Sequence, residues 1–377
     1  MKSRITTFFM IILMFFIIAA IVIFSLIFLG EFSGTDVGNQ IDEFVSKVTS
    51  LGKDESNENV QSAGVIETQV NELETAGNGN TKDNNYEGVE ISNKYFYEQL
   101  NETSKTFYRA FEQNKENMKS GTYQIEFGNT FYDVLSKPNG DSDLGDYYQS
   151  AVETYLYDNP DIFYLDVNKM YLNIETITKG RKVSYNVFIN SGNENSYLED
   201  GYTYEIINQK SAQIQNVVDT LLMRKTGNVY NDIKMIHDYI IENVEYDSTI
   251  SEQDIYNIYG TLVNGKAVCE GYAKSFQYFM NKLGIPSVIV IGEATNSSGE
   301  TENHAWNYVQ INNVWYAIDT TWDDPVVVGG GRVREESKYR YFLKGENTLN
   351  EDHFPSGQFT QGGQVYTYPD LSLYDYE

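Results

Sequence analysis

Twenty-two consecutive residues, 8–29 (FFMIILMFFIIAAIVIFSLIFL), carry a single polar side chain, Ser25. As a helix this run is about 33 Å long, enough to cross a bilayer core of about 30 Å. Lys2 and Arg4 precede it, and Glu31 and Asp36 follow it. The positive-inside rule therefore places residues 1–7 in the cytoplasm and the rest of the chain outside. A cleaved signal peptide would have an apolar stretch of roughly 7–15 residues ending in a small-x-small site. This run is longer, and no clean Ala-x-Ala follows it. The expectation is an uncleaved single-pass anchor over 8–29 and an extracytoplasmic body at the cell membrane.

Residues 30–90 are rich in Gly, Asn, Ser, Thr and acid, and 76–88 (AGNGNTKDNNYEG) has no apolar periodicity. This stretch reads as an acidic flexible linker, within which 39–50 and 60–74 fit short helices. The folded part begins near 91. In 94–118, Phe96, Leu100, Phe107, Ala110 and Phe111 recur at helical spacing. Residues 144–157 also read as a helix, and 122–127, 163–177 and 182–189 as strands. Together 91–206 form a mixed helix and strand region without a catalytic pattern. Two amphipathic helices follow, at 207–225 and 229–247, with His237 in the second as a packed or surface residue.

Charge narrows the function. The chain has 54 acidic and 27 basic residues, a formal net charge of −27. That disfavours nucleic acid as a partner, because phosphate binding needs a basic surface. It equally disfavours docking on anionic lipid through a basic patch. Cys269 is the only cysteine, so no internal disulfide is available. With one Cys and three His (His237, His304, His353) spread along the chain, neither a metal nor a cofactor is expected. Asp323-Asp324-Pro325 reads as a turn, far short of the oxygen ligands calcium needs.

Residues 269–283 read as a helix stopped by Gly284-Ile285-Pro286, where Gly supplies the left-handed cap and Pro cannot continue. Tyr272, Phe276, Phe279, Met280 and Leu283 form its apolar stripe. Cys269 lies on that stripe at the first turn, facing the protein body. The partial positive charge of a helix N-terminus favours an anion there, so the position suits a reactive thiolate. A buried structural cysteine is the commoner fate of a lone Cys, and the next segment decides between the two.

Residues 303–319 (NHAWNYVQINNVWYAID) read as two strands joined at Asn312-Asn313. If those two residues form the loop, Ile311 pairs with Val314, Trp306 with Asp319 and His304 with Thr321. Parity then puts His304, Trp306, Asp319 and Thr321 on one sheet face, with His304 and Asp319 as diagonal neighbours. Asn307 falls on the opposite face as a structural residue. A carboxylate beside the imidazole fixes its tautomer and leaves the other ring nitrogen free for a thiol. This is the Cys–His–Asp arrangement of nucleophilic acyl transfer.

The segments GTLVNGKAVCEGYAKSFQYFMNKLGIP and NHAWNYVQINNVWYAIDTTWDDP resemble the core of the transglutaminase-like superfamily, with its papain-like catalytic arrangement. The likeness runs over about 229–345, and residues 144–166 resemble an upstream region of bacterial members, here one with a membrane anchor. The resemblance implies an α+β fold in which the Cys helix packs on an antiparallel sheet carrying His and Asp. It implies Cys269 as nucleophile, His304 as general base and acid, and Asp319 as orienting carboxylate. The domain organisation expected is a catalytic domain over 207–345 and a C-terminal extension, 346–377, packed on it. The tail from 360 is read as adding an edge strand, and His353 as a structural partner rather than a second base. Trp306 and Trp322 are candidates to line the cleft. Asn264 is a candidate second oxyanion donor beside the Cys269 N–H.

The substrate expected is a protein or peptide at the cell surface, with acyl transfer or hydrolysis at a carboxamide or peptide bond. Two other readings stand beside it. One is a non-catalytic binding or adhesion module that keeps the scaffold, and the other is a structural tether. Oligomeric state is not legible.

Overall fold

The structure, a computed structural model, describes residues 64–71, 83–250, 252–324, 335–356 and 367–377. The expected anchor over 8–29, the 39–50 helix and most of the linker lie outside the described residues. Among those described, no helix is long and apolar enough to cross a membrane.

The N-terminal half is a four-stranded sheet backed by two long helices. The strands are β1 (Gly64–Asn71), β2 (Ile125–Gly128), β3 (Tyr171–Lys179) and β4 (Lys182–Asn190), in the order β1-β3-β4-β2. β1 runs parallel to β3, and the other pairs are antiparallel. The 60–74 segment thus contains a strand where the sequence suggested a short helix. GVIETQVN is rich in β-branched residues, which suit a pleated edge better than an isolated helical turn.

Two further boundaries differ from the sequence reading for local reasons. The 94–118 helix is interrupted at Asn101, whose side chain accepts the Ser104 N–H at 2.9 Å and starts α1 (Glu102–Met118) afresh. The strand expected over 163–177 begins only at Tyr171. Asp166 accepts the Asn168 N–H at 3.0 Å and caps a one-turn 3₁₀ segment, Val167–Lys169, ahead of it. α2 (Gly140–Asp158) packs on α1 through Phe107, Phe111, Tyr148 and Tyr155, all buried.

α3 (Tyr204–Leu222) and α4 (Val229–Asn243) follow, capped by Thr203 and Asn228. α5 spans Cys269–Leu283. At its end Gly284 sits at φ 69°, and Ile285 N–H returns to the Met280 carbonyl at 3.0 Å. A second sheet of order β10-β7-β8-β9 comprises β7 (Ser287–Thr295), β8 (Thr301–Ile311), β9 (Val314–Ile318) and β10 (His353–Pro355), all antiparallel. Ile311 pairs with Val314 and the ladder runs to Asn307 opposite Ile318, the register expected of an Asn312-Asn313 turn. α5 lies across this sheet, and Asn307 Nδ2 donates to the Ala273 carbonyl at 3.1 Å. Two described stretches near the C-terminus pack on the same sheet: β10 pairs with β7, and Ser372 N–H donates to the Trp315 carbonyl at 2.8 Å.

Gly271, in the first turn of α5, has no room for a side chain. A Cβ there would sit 2.5 Å from the Ile255 carbonyl oxygen and 2.8 Å from the Ala267 Cβ. Gly271→Ala is expected to destabilise the protein by about 1–3 kcal/mol and to displace the helix start. Urea unfolding checks it, and an unchanged midpoint would contradict it.

Candidate active site

Three elements place the thiol. β5 (Glu245–Tyr246) and β6 (Lys266–Ala267) form a short parallel pair, with Tyr246 opposite Ala267. Val268, extended, is the N-cap residue of α5, and Cys269 is its first residue. Cys269 is half-buried against Ala273, Ile289 and Ala305, so it faces the body from the start of the helix, as its place on the apolar stripe implied.

His304 projects from β8. β9 ends at Ile318, one residue short of the expected Trp306–Asp319 pair, because Asp319 N–H turns to the Tyr341 carbonyl at 3.2 Å. Asp319 Oδ1 then accepts the backbone N–H groups of Thr321 and Trp322 at 2.9 and 3.2 Å, which fixes the carboxylate. Its Oδ2 accepts His304 Nε2–H at 2.8 Å. The Cys269 thiol lies close enough to the same imidazole to favour its protonated form. Since Asp319 takes Nε2, Nδ1 is the nitrogen left for sulfur. The structure thus brings Cys269, His304 and Asp319 together, with both His304 and Asp319 buried.

Burial alone would push the His304 pKa down, because it penalises the charged ring. Asp319 outweighs it, with Cys269 adding to the effect, and His304 is pushed up to about 10. Burial would raise Asp319, but His304 and His353 hold it well below the usual carboxylate range. Stability should follow. His304 keeps its proton in the fold above the ordinary 6.5, so its contribution is complete below 6.5 and is lost as pH rises towards about 10. Asp319 contributes above the ordinary 3.8, and that is lost as pH falls below it. Unfolding free energy should therefore decline from pH 7 to 10, with a shallower slope in His304→Ala. Equal slopes in urea titrations of the two proteins would contradict this.

His353, from β10, is the residue the sequence pattern did not place. Its Nε2 lies 3.2 Å from the same Asp319 Oδ2, and its Nδ1 lies 2.8 Å from Asp352 Oδ1. Only the expectation of a structural partner touched it. The contact links residues 34 apart through strand pairing that no local signal encodes.

The two tryptophans part company. Trp306 is 1% exposed, stacked at 5.9 Å on His304 and edge-on at 5.0 Å to His353. It supports the site from within and does not line an open cleft, because it is buried against His304 and His353. Trp322 is half-buried, with its ring 5.1 Å from His304 and 4.7 Å from His353. Asn264, the last residue of a single π-helical turn (Gly260–Asn264), is exposed, and no hydrogen bond among the described residues joins it to Cys269 or His304. Asp323 and Asp324 do lie in a turn, but both are buried. Asp323 Oδ2 meets His237 Nε2 at 3.0 Å, and Asp324 accepts the Tyr272 hydroxyl. His237 is correspondingly a packed residue, fully buried under the site.

His304, Asp319 and His353 have ligand-type atoms within 4.8 Å of one another. Two ligands on a tetrahedral zinc stand roughly 3.3 Å apart, from Zn–N bonds of about 2.0–2.1 Å. The 2.8 Å His304–Asp319 contact is closer than that, as direct hydrogen bonding requires. The group reads as a hydrogen-bonded chain rather than a metal centre.

A cysteine at a helix start, facing an imidazole that a buried carboxylate holds, is the core that the sequence motifs implied. Residues 197–320 match the model of the transglutaminase-like superfamily. These residues form a transglutaminase-like domain. Kyphoscoliosis peptidase of Mus musculus is 27% identical over 155 residues, 36% of this chain and 22% of that protein. The Homo sapiens protein of the same name is 28% identical over 144 residues, 33% and 21% of the two chains. This chain thus spans about a fifth of the length of those curated relatives. Among solved structures, a TGase overlaps 54% of this chain and 57% of its own at 15% identity, with a TM-score of 0.31. The periplasmic domain of TgpA from Pseudomonas aeruginosa overlaps 39% and 59% at 14% identity, with a TM-score of 0.24. Overlaps of that size carry no argument about function.

Proposed function

We propose that this chain is a cysteine-dependent acyl-transfer enzyme acting on carboxamide or peptide bonds of proteins or wall peptides. Cys269 gives its thiol proton to His304 Nδ1, its sulfur attacks the carbonyl carbon, and the electron pair of the C=O moves to oxygen. Collapse of that intermediate breaks the C–N bond, His304 gives its Nδ1 proton to the departing amine, and a thioester on Cys269 remains. His304 then takes a proton from water or a primary amine as it attacks the thioester, and returns it to sulfur. The first outcome is hydrolysis and the second is crosslinking. Asp319 fixes the ring tautomer and steadies the imidazolium. The Cys269 N–H, at the start of α5 where helical amides lack an intrahelical acceptor, is available to the oxyanion. Trp322, over His304, is the proposed wall of the cleft.

One observation carries this reading: a single buried ring is hydrogen-bonded to a buried carboxylate and lies close enough to the chain's only thiol to feel it. With residues 8–29 as a single-pass anchor and residues 1–7 cytoplasmic, the enzyme would work outside the membrane of a bacterial cell. The test is incubation of a glutamine-containing protein with a fluorescent primary amine, using wild type and Cys269→Ala. Cys269-dependent incorporation means transfer, and Cys269-dependent release of ammonia or peptide means hydrolysis. Neither product, from any protein or wall-peptide substrate tried, would contradict the proposal.

A further inference from the structure

His353 sits between two carboxylates, with Nε2 3.2 Å from Asp319 and Nδ1 2.8 Å from Asp352. A neutral imidazole has one N–H and one lone pair. In either tautomer it would aim that lone pair at a carboxylate oxygen, which is repulsive. A ring protonated on both nitrogens donates to both. His353 and Asp319 are both buried, so the ring itself is shielded from bulk solvent.

We infer that His353 is a positioning residue of the reaction proposed above: as an imidazolium bridging Asp352 to Asp319, it shares the Asp319 carboxylate and loosens that carboxylate's hold on the His304 proton. Asp319 Oδ2 serves both rings, at 2.8 and 3.2 Å, and the ring centres are 5.6 Å apart. A positive charge at that separation disfavours a second one on His304. The general acid therefore parts with its proton to a leaving amine more readily than an isolated His–Asp pair would. The C-terminal segment, beyond the matched domain, so completes the site.

The charged and titratable neighbours are few. His304 faces Asp319 after β9, Cys269 at the start of α5 and His353 on β10. His353 faces Asp319, Asp352, His304 and the Tyr341 ring at 4.9 Å. Asp352 Oδ2 in turn accepts from the Tyr341 hydroxyl at 2.6 Å and from Arg340 at 3.1 Å, which anchors the outer end. Asp319 also lies near Asp323 and Tyr246, each of which feels its charge. The direction agrees: His353 is raised by Asp319 and Asp352 despite burial, and lowered by His304.

The chain has three histidines, so their ring nitrogens can be followed one by one by ¹⁵N nuclear magnetic resonance of the full chain. In wild type at pH 7, His353 should carry protons on both nitrogens. A neutral His353 would overturn the inference, and this reading needs no variant to fold. In His353→Gln, where the amide can still donate to Asp319 without charge, the His304 titration midpoint should rise by about one pH unit. A residue that merely packs would leave that midpoint in place, and an unmoved midpoint overturns the inference. Alkylation of Cys269 separates the two claims. Ordinary thiol rates overturn the acyl-transfer reading and this role with it. Fast rates with an unmoved His304 midpoint overturn the role of His353 alone.

Discussion

Replacing His304 by alanine should lower kcat/KM for transfer or hydrolysis by at least about a thousandfold. The ring is the only group described against the thiol that can both take and return a proton at neutral pH. Its loss removes the base for the second half-reaction, the acid for the leaving amine and the positive charge beside sulfur. The fold should survive, because Asp319 keeps His353 and the Thr321 and Trp322 N–H groups as partners. Because the two residues act as a unit, Cys269→Ala,His304→Ala should be no slower than Cys269→Ala alone. Steady-state rates of the four proteins check this. A His304→Ala enzyme within tenfold of wild type would show that the ring is structural.

Replacing Asp319 by alanine should have its largest effect on stability, about 3–5 kcal/mol in urea unfolding. The carboxylate is buried and accepts four hydrogen bonds, two from histidine rings and two from backbone. Removing it leaves two buried rings, each with a raised affinity for a proton, without the charge that balanced them. Asp319→Asn should cost less, since an amide oxygen still accepts, but should slow the reaction because its NH₂ opposes a ring N–H. A loss below about 1 kcal/mol for Asp319→Ala would mean that the carboxylate is not the hub described here.

What could be read from the chain was what short-range chemistry encodes. Gly284-Ile285-Pro286 closes α5 where left-handed glycine and helix-breaking proline require, and the helix start put Cys269 inward. Asn312-Asn313, both at positive φ, set the hairpin register and hence the nearness of His304 and Asp319. What could not be read depends on distant partners. β1 finds its place only through parallel pairing with β3, about a hundred residues on. Trp306 has the same sequence neighbourhood whether it lines a cleft or is buried, and its contact with the distant His353 ring is not encoded locally. Asp323 and Asp324 read only as a turn in the sequence, and their contacts with His237 and Tyr272 depend on distant partners. Asn264 is a candidate oxyanion donor without any pattern to support it, and the turn that carries it leaves it exposed.

The account's central claim is that the Cys269 sulfur and the His304 ring act as one chemical unit. With a single thiol in the chain, iodoacetamide at pH 6 measures this directly. Cys269 should react at least about ten times faster than free cysteine, whose thiolate fraction is small there, and His304→Ala should remove the excess. Equal rates for wild type, variant and free cysteine would contradict the account.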